Sequence, residues 1–313
     1  MATLIAPFST DPIADAQALR KACEGWGTDE KGIIEVIGHR NEAQLKLIRE
    51  AYTEQYGEDL IRRFEKELSG DLEKAVYRWM HEPLDRQAIL ANVAVKKGDY
   101  KVIVELSCLP CSEEFLGIRR AYQARYKHSL EEDVASHSTG EIRRLLLLLV
   151  SAYRHETKET DARLAEAEAE ILHKAIKDKE FSHDEVLRIV GTRSKAQLVA
   201  TFFRYQDVYG DSIIKRLEAN KDKEFVRLLE TTIECIWSTK EYLESVVREA
   251  LSKKGRNEDV LTRVIVTRAE RDLREIKELY YKRNSVTLED AIGKEIRGDY
   301  KTFLLTLLGA EGY

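Results

Sequence analysis

Two glycines separated by a single residue, Gly25 and Gly27, lie between two segments of helical pattern, and Glu67 follows at the end of a later apolar stripe. Glycine adopts backbone conformations that other residues resist, so such a loop can turn several main-chain carbonyl groups toward one centre. Carbonyl oxygens suit a hard cation, and Ca²⁺ takes about six to eight oxygen ligands. A carboxylate is needed to complete such a site, and Glu67 is the candidate. The alternative interpretation is an ordinary interhelical turn without a ligand.

The segments that must position these residues have a helical pattern. In the stretch 41–57, Asn41 and Gln44 have the spacing of a capping box, and an apolar face ends at Gly57. A second apolar stripe occupies 60–68 and ends at a serine and a glycine. Only four prolines interrupt the chain, and alternating strand patterns are scarce. The sequence therefore predicts an all-α fold.

The sequence also repeats itself four times. In each copy an anchor residue is followed by apolar or tyrosine residues at offsets of 5, 12 and 20. The anchors are Arg40, Pro110, Arg193 and Arg268. Successive anchors lie further apart than the usual two-helix repeat allows, so each copy is predicted to hold about five helices. The predicted core positions are Leu45, Tyr52, Leu60, Phe115, Tyr122, Leu130, Leu198, Tyr205, Ile213, Leu273, Tyr280 and Leu288.

The overall charge limits the classes of partner. The 313 residues include 51 Lys and Arg and 56 Asp and Glu, which gives a net charge of −5. This balance argues against nucleic acid as a partner, and an anionic lipid surface would need a local basic patch or a cation. The N-terminal stretch lacks the basic start of a secretory signal, and the longest apolar run, 145–152, is too short to span a bilayer. We expect a cytoplasmic protein.

Four cysteines, Cys23, Cys108, Cys111 and Cys235, are too few and too scattered to form a disulfide framework in a chain of this length. The pair Cys108 and Cys111 has the spacing of half a zinc site, but no second pair accompanies it. We therefore expect buried thiols.

The four copies, the "GWGTDE" loop, the later Glu67 and the segments "YGEDL", "TRSKAQ" and "SLEEDV" resemble a plant annexin over about residues 10–310. The resemblance implies an all-α curved disc of four annexin-type repeats with about five helices each. It also implies calcium loops on the convex face and reversible binding to acidic phospholipid membranes. The repeats are assigned to residues 10–82, 83–155, 160–238 and 239–313.

The resemblance further implies the ligands of the first repeat. The carbonyl oxygens of Cys23, Gly25 and Gly27 and both carboxylate oxygens of Glu67 would bind Ca²⁺, and water or a lipid phosphate oxygen would fill the remaining positions. Trp26, between the two glycines, would insert into the headgroup region with its indole N–H still hydrogen-bonded. The alternative for Trp26 is packing against the helices of its own loop.

The other copies depart from this pattern. Counting from each anchor gives the positions that correspond to Gly25, Gly27, Thr28 and Glu67 in the first copy. The second copy has Val95, Lys97, Gly98 and His137 there, and the third has Asp178, Glu180, Phe181 and Asn220. Both copies lack the acid and the pair of loop glycines, so we expect no calcium site in either. The third loop is interpreted as a solvated turn.

The fourth copy keeps the acid, Glu295, and one loop glycine, but two of its loop positions have become Lys253 and Arg256. Cations near a ligand oppose metal binding, since like charges at ~4 Å repel by about 1 kcal/mol even in water. Glu295 could instead pair with one of them. Our hypothesis is that Lys253, Lys254 and Arg256 contact lipid phosphate directly, and the alternative is a solvated, charged turn.

Two alternative functions remain, one from the altered loops and one from the resemblance. With three of four loops altered, the chain could act as a calcium-independent helical scaffold for protein partners. Whether such partners include cytoskeletal proteins is left open by the sequence. Annexins can also conduct ions, and Asp85, Glu105 and Arg263 match residues that line the proposed channel. Pro110 replaces an arginine expected beside them, so a buried or semi-buried salt-bridge network is the simpler interpretation.

We do not expect an enzyme. His39 occupies the place of a histidine invoked for peroxidase activity in plant annexins, but it has no evident catalytic partner. No phosphate-binding loop of the form G-x-x-x-x-G-K-[ST] occurs in the chain. Cys108 and Cys235 correspond to two cysteines that plant annexins bring close together, and we expect them to be inert core thiols.

Overall fold

A computed structural model describes residues 1–25, 27–252 and 257–310, and these residues form twenty helices and no strand. The first five are α1 (Pro12–Ala22), α2 (Glu30–Ile37), α3 (Glu42–Tyr56), α4 (Leu60–Glu67) and α5 (Gly70–Met80). The next are α6 (Pro83–Lys97), α7 (Tyr100–Cys108), α8 (Ser112–Tyr126), α9 (Leu130–His137) and α10 (Gly140–Ser151). The third set is α11 (Ala162–Lys177), α12 (Asp184–Thr192), α13 (Lys195–Tyr209), α14 (Ile213–Glu218) and α15 (Glu224–Trp237). The last is α16 (Thr239–Ala250), α17 (Glu258–Arg268), α18 (Leu273–Asn284), α19 (Leu288–Glu295) and α20 (Gly298–Leu307).

The predicted all-α fold with five helices in each repeat is confirmed. The local signals around α3 behave as expected: Asn41 and Gln44 form a reciprocal capping box at its start. The helix ends at Gly57, which adopts a left-handed conformation with φ of 62°.

The core follows the repeated spacing. All twelve residues predicted from the anchors have at most 5% of their surface exposed, and they include the four tyrosines at the same offset. Burial of large side chains at fixed intervals removes apolar surface from water and is the main favourable term in folding. The repeated tyrosines are therefore packing residues.

The described chain divides into two compact units. Unit 1 is Met1–Arg86 together with Lys240–Tyr313, and unit 2 is Gln87–Thr239. In unit 1 the fully buried indole of Trp79 donates a hydrogen bond to the carbonyl of Ile37 at 2.8 Å, which joins α5 to the end of α2.

A buried arginine connects helices within unit 1. Arg86 donates to the carbonyls of Arg78 at 2.7 Å, Trp79 at 2.8 Å and His81 at 3.1 Å, at the C-terminal end of α5. It also donates to the carbonyl of Val266 in α17 at 3.0 Å. Burial lowers the pKa of Arg86 to about 10, so the side chain is charged at neutral pH. It supplies donors to carbonyls that the ends of helices leave without partners.

Unit 2 contains a similar arrangement around Arg154. This buried guanidinium donates to the carbonyls of Val190 and Arg193, each at 2.7 Å, at the end of α12. The Ser112 hydroxyl, at the start of α8, donates to the carbonyl of Arg154 at 2.6 Å. The two units therefore use the same device, an arginine that satisfies the final carbonyls of a helix.

The longest apolar run of the sequence lies in α10. Leu145, Leu146, Leu149 and Val150 are each at most 2% exposed, so this run belongs to a protein core. Across the described part of the chain, no helix is both long enough and apolar enough to cross a bilayer.

The four cysteines are free thiols, and they fall into two groups. Cys23, Cys108 and Cys235 are buried, and burial raises the pKa of each thiol, most strongly for Cys235. Cys111 is exposed, so the expectation of four buried thiols is wrong for this residue. Cys111 is the N-cap of α8, and residues at helix starts commonly remain at the surface.

Candidate metal centre

The loop between α1 and α2 holds both predicted glycines. Asp29 caps α2 by accepting a hydrogen bond from the Gly32 N–H at 2.9 Å, and its own N–H donates to the Ala22 carbonyl at 2.9 Å, which closes the loop. Gly25 and Gly27 have φ values of +108° and +95°. Side chains rarely tolerate such values, so both positions require glycine for conformational reasons. Space is not the reason, because a β-carbon at either position would meet no described atom within 4 Å.

Glu67 lies against this loop. The Thr28 hydroxyl donates to the Glu67 Oε2 atom at 3.0 Å and lies 3.3 Å from the Glu67 carbonyl oxygen. Glu67 is the final residue of α4, so its carboxylate projects from the end of a helix toward the loop. The structure thus brings together the loop and the distant acid, whose association the sequence could only suggest.

A third side chain, which sequence reasoning missed, completes the cluster. Arg63 lies one helical turn before Glu67 on α4, and its Nη2 atom lies 2.9 Å from Glu67 Oε1. The same Nη2 group donates a hydrogen bond to the Cys23 carbonyl. The Arg63 Nε atom is buried and has no hydrogen-bond partner among the described residues. The i, i+4 spacing of Arg63 and Glu67 was the available sequence signal.

The sulfur of Cys23 is not suited to be a metal ligand. The residue is 3% exposed, and burial together with the negative charge of Glu67 raises the pKa of its thiol to about 11. The thiol therefore stays protonated at neutral pH, whereas metal binding requires the thiolate. Any metal contact at Cys23 would use its carbonyl oxygen.

The donor set fits a hard cation. It contains one carboxylate and main-chain carbonyl groups, and oxygen ligands of this kind bind Ca²⁺ rather than soft transition metals. No group of three or more His, Cys, Asp or Glu side chains able to hold a metal ion occurs in residues 1–25, 27–252 and 257–310. The guanidinium of Arg63 already contacts two of the expected ligand groups, so these oxygens form an environment that stabilises positive charge.

The second repeat has a shorter loop. The Asp99 N–H donates to the Ala94 carbonyl at 2.9 Å, a span of five residues, whereas the matching bond of the first repeat spans seven. The anchor spacing predicted Val95 at the place of Gly25, and this is wrong: Val95 is a buried residue of α6. The spacing failed because it allowed for no deletion. The shorter loop has no room for the two-glycine turn.

In the third repeat a buried phenylalanine takes the place of the loop threonine. Phe181, at the position of the loop threonine, is 4% exposed, and the Lys223 Nζ atom lies 5.4 Å from the centre of its ring. The interpretation of this segment as a solvated turn is therefore wrong at Phe181. At the position of the acid stands Asn220, and the neighbouring Lys221 pairs with Glu230 at 3.1 Å.

The fourth repeat keeps the length of the first loop. The Asn257 N–H donates to the Ala250 carbonyl at 3.0 Å, again a span of seven residues. Glu295 is the final residue of α19, as Glu67 is of α4. The basic residues predicted to contact membranes, Lys253, Lys254 and Arg256, lie outside the described residues, as does Trp26 of the first loop.

Comparison with known proteins identifies the family to which these repeats belong. The family model described as Annexin matches residues 14–79, 87–149, 167–230 and 243–307. The annexin-like protein RJ4 of strawberry, Fragaria ananassa, is 58% identical over 313 residues, which cover 99% of this chain and 100% of that protein. The chain belongs to the annexin family.

Other annexins match along the same length of the chain at lower identity. Annexin D7 of Arabidopsis thaliana is 45% identical over 99% of both chains. The crystal structure of chicken annexin V in complex with Zn²⁺ superposes with a TM-score of 0.92 at 31% identity, covering 99% of each chain. The resemblance to plant annexins inferred from the loop and the repeats is confirmed. Annexins bind Ca²⁺, and family membership implies calcium-dependent binding to phospholipid membranes.

His39 and the three residues that match the proposed channel lining lie at buried or half-buried positions or make local contacts. The His39 Nδ1 atom lies 2.9 Å from the Glu35 carbonyl, one turn earlier at the end of α2, which is a structural contact. Glu105 is buried in unit 2, Arg263 is buried in unit 1, and Asp85 is half-buried in unit 1. Ion conduction through such residues stays a prediction.

Proposed function

We propose that this annexin binds acidic phospholipid membranes in a calcium-dependent manner through the loop of its first repeat. The contact of Thr28 with Glu67 carries the proposal, because it sets a carboxylate beside the loop of two left-handed glycines. The proposed ligands are the carbonyl oxygens of Cys23, Gly25 and Gly27 and the carboxylate of Glu67. We propose no catalytic step.

The charges of the chain explain why a cation is needed. With a net charge of −5, the protein as a whole is repelled by an anionic surface. When bound, Ca²⁺ supplies local positive charge and vacant coordination positions that lipid phosphate oxygens can fill. One carboxylate gives the site only modest affinity for Ca²⁺. Because lipid phosphate adds further ligands to the same ion, bound lipid should raise the affinity for calcium, and bound calcium should raise the affinity for lipid. The protein would then leave the cytoplasm for the membrane when the calcium concentration rises.

Trp26 is proposed to assist at the membrane surface. It stands between two glycines whose φ values are positive, in the loop that carries the proposed ligands. Indole rings are favoured at the level of lipid headgroups, where the apolar ring is buried and the N–H remains hydrogen-bonded. The side chain would enter the interface beside the bound phosphate.

A second, calcium-independent contribution is proposed for Lys253, Lys254 and Arg256. Each basic residue near an anionic membrane contributes about 1 kcal/mol of attraction. Changing all three to alanine should reduce the fraction of protein that sediments with phosphatidylserine vesicles in excess chelator. The matched control removes three exposed lysines elsewhere, Lys158, Lys177 and Lys282. An equal loss in both variants, or no loss in the first, would contradict a specific role of the basic loop.

The competing function is a calcium-independent scaffold for proteins, favoured by the shortened loop of the second repeat and by buried Phe181 in the third. A calcium titration with vesicles discriminates the two. We expect sedimentation of the wild-type protein to rise steeply with calcium on vesicles that contain phosphatidylserine, and to stay low on neutral phosphatidylcholine vesicles. Sedimentation that is the same at every calcium concentration would favour the scaffold.

A further inference from the structure

We infer that the guanidinium of Arg63 is an internal competitor for calcium, which occupies two of the ligand groups of the first-repeat site until the ion displaces it. This inference rests on the proposed function, because it concerns the affinity of the proposed site. It assigns to Arg63 the role of setting the calcium concentration at which the loop responds.

The guanidinium of Arg63 contacts the proposed site from two sides, on α4 and on the loop. Arg63 contacts Glu67 Oε1 at 2.9 Å on α4 and the Cys23 carbonyl on the loop. These are two of the four groups proposed to bind the ion. The guanidinium therefore neutralises the carboxylate and holds the loop against α4, so that the ligands stay close together in the absence of calcium.

A bound calcium ion and this arrangement of Arg63 exclude one another. A guanidinium is a fixed positive charge in proteins, so only movement of the side chain can relieve the repulsion. Calcium lies about 2.3–2.6 Å from its oxygen ligands, which would place a double positive charge within a few ångströms of the guanidinium. Binding of the ion thus requires Arg63 to leave the Glu67 carboxylate.

The side chain is also poised to leave. Its Nε atom is buried without a hydrogen-bond partner among the described residues, and buried polar groups without partners are unfavourable. About a fifth of the side chain, 22%, is already exposed, so a rotation outward would bring the guanidinium to water. When Arg63 is displaced, its guanidinium loses its contacts with Glu67 and the Cys23 carbonyl and gains hydrogen bonds to water. The free-energy cost of moving it is therefore small enough for calcium binding to overcome.

The test replaces Arg63 with glutamine, which removes the charge and keeps hydrogen-bond donors. We expect isothermal titration of the folded full-length protein with calcium chloride, without lipid, to show about tenfold tighter binding, equivalent to about 1.4 kcal/mol. In chelator, the thermal midpoint of Arg63→Gln should lie below that of the wild type, since Glu67 loses its partner. Calcium should then raise the midpoint of the variant more than that of the wild type.

Control variants separate this effect from general charge effects. Arg62→Gln removes the same charge from the exposed neighbouring residue of α4 and should bind calcium as the wild type does. The double variant Arg63→Gln with Glu67→Gln should lose the gain. If Arg63→Gln fails to fold, Arg63→Lys serves, because a lysine reaches fewer oxygens than a guanidinium and should give a smaller gain.

The outcomes distinguish the inference from the proposed function. Wild-type binding of calcium with equal or weaker binding by folded Arg63→Gln would overturn the role of Arg63 and leave the calcium site standing. An equal gain of affinity in Arg62→Gln would overturn that role as well. An absence of calcium binding in the wild type and in Arg63→Gln alike, with or without vesicles, would instead overturn the proposed function.

Discussion

Replacing Glu67 with glutamine is expected to remove most of the calcium-dependent sedimentation of this annexin with phosphatidylserine vesicles. The substitution removes the single carboxylate of the proposed site, and the charge of the ligands is what tunes calcium affinity. We expect the calcium concentration at half-maximal sedimentation to rise at least about tenfold, which corresponds to about 1.4 kcal/mol. The amide oxygen of glutamine can still accept the hydrogen bond from Thr28, so the loop should keep its place.

The matched control is Glu65→Gln, which removes the same charge from an exposed position of α4 two residues away. This variant should sediment at wild-type calcium concentrations, and both variants should show the circular dichroism spectrum of the wild type. Retention of wild-type calcium dependence by Glu67→Gln would contradict the assignment of the first-repeat site. An equal loss in both variants would show that general surface charge is responsible.

The largest effect on stability is expected from Arg86→Met. The methionine fills much of the space of the arginine stem, but it removes the hydrogen bonds that the guanidinium donates to four carbonyl groups, those of Arg78, Trp79, His81 and Val266. Each buried polar group that loses its partner costs about 1–3 kcal/mol, so a loss of about 4 kcal/mol or more is expected. For a unit of this size, that lowers the thermal midpoint by about 10 °C.

Thermal unfolding followed by circular dichroism measures this effect. Arg274→Met is the control, since Arg274 is an exposed arginine of the same unit and its replacement should move the midpoint by no more than a degree or so, corresponding to less than about 0.5 kcal/mol. If Arg86→Met unfolds at the temperature of the control, the hydrogen bonds of Arg86 contribute much less than about 4 kcal/mol to the stability of the unit.

Much of the fold could be predicted because its core obeys a simple spacing. Leu45, Tyr52 and Leu60 follow Arg40 at offsets that recur in every copy, and burial of all twelve such residues shows that the spacing records helix packing. The capping box of Asn41 and Gln44 and the left-handed Gly57 are local features, so short sequence signals suffice to predict them.

The candidate site could be predicted only in part. The loop could be predicted from Gly25 and Gly27, because positive φ values favour glycine. Glu67 could be predicted from its spacing after the loop together with the resemblance to annexins. Arg63 escaped notice because an arginine four residues before a glutamate on a helix is most often an exposed pair of small energetic effect. Only the folded structure shows that the same guanidinium reaches the Cys23 carbonyl from another helix.

The repeated spacing also failed to predict the length of the second-repeat loop. Fixed offsets from Pro110 put Val95 in the loop of the second repeat, whereas the hydrogen bond from Asp99 to Ala94 shows that the loop has lost two residues. Insertions and deletions occur mainly in loops, while helix spacing is maintained by packing. Positions before a loop therefore cannot be counted reliably from an anchor that lies after it.

A crystal structure of the full chain grown in abundant calcium, with the ion identified by its anomalous scattering, would show directly whether the first-repeat loop binds Ca²⁺. We expect Ca²⁺ to be bound by the carbonyl oxygens of Cys23, Gly25 and Gly27 and by the Glu67 carboxylate, with the guanidinium of Arg63 turned away. A first-repeat loop without the ion, and with Arg63 still on Glu67 at saturating calcium, would contradict it.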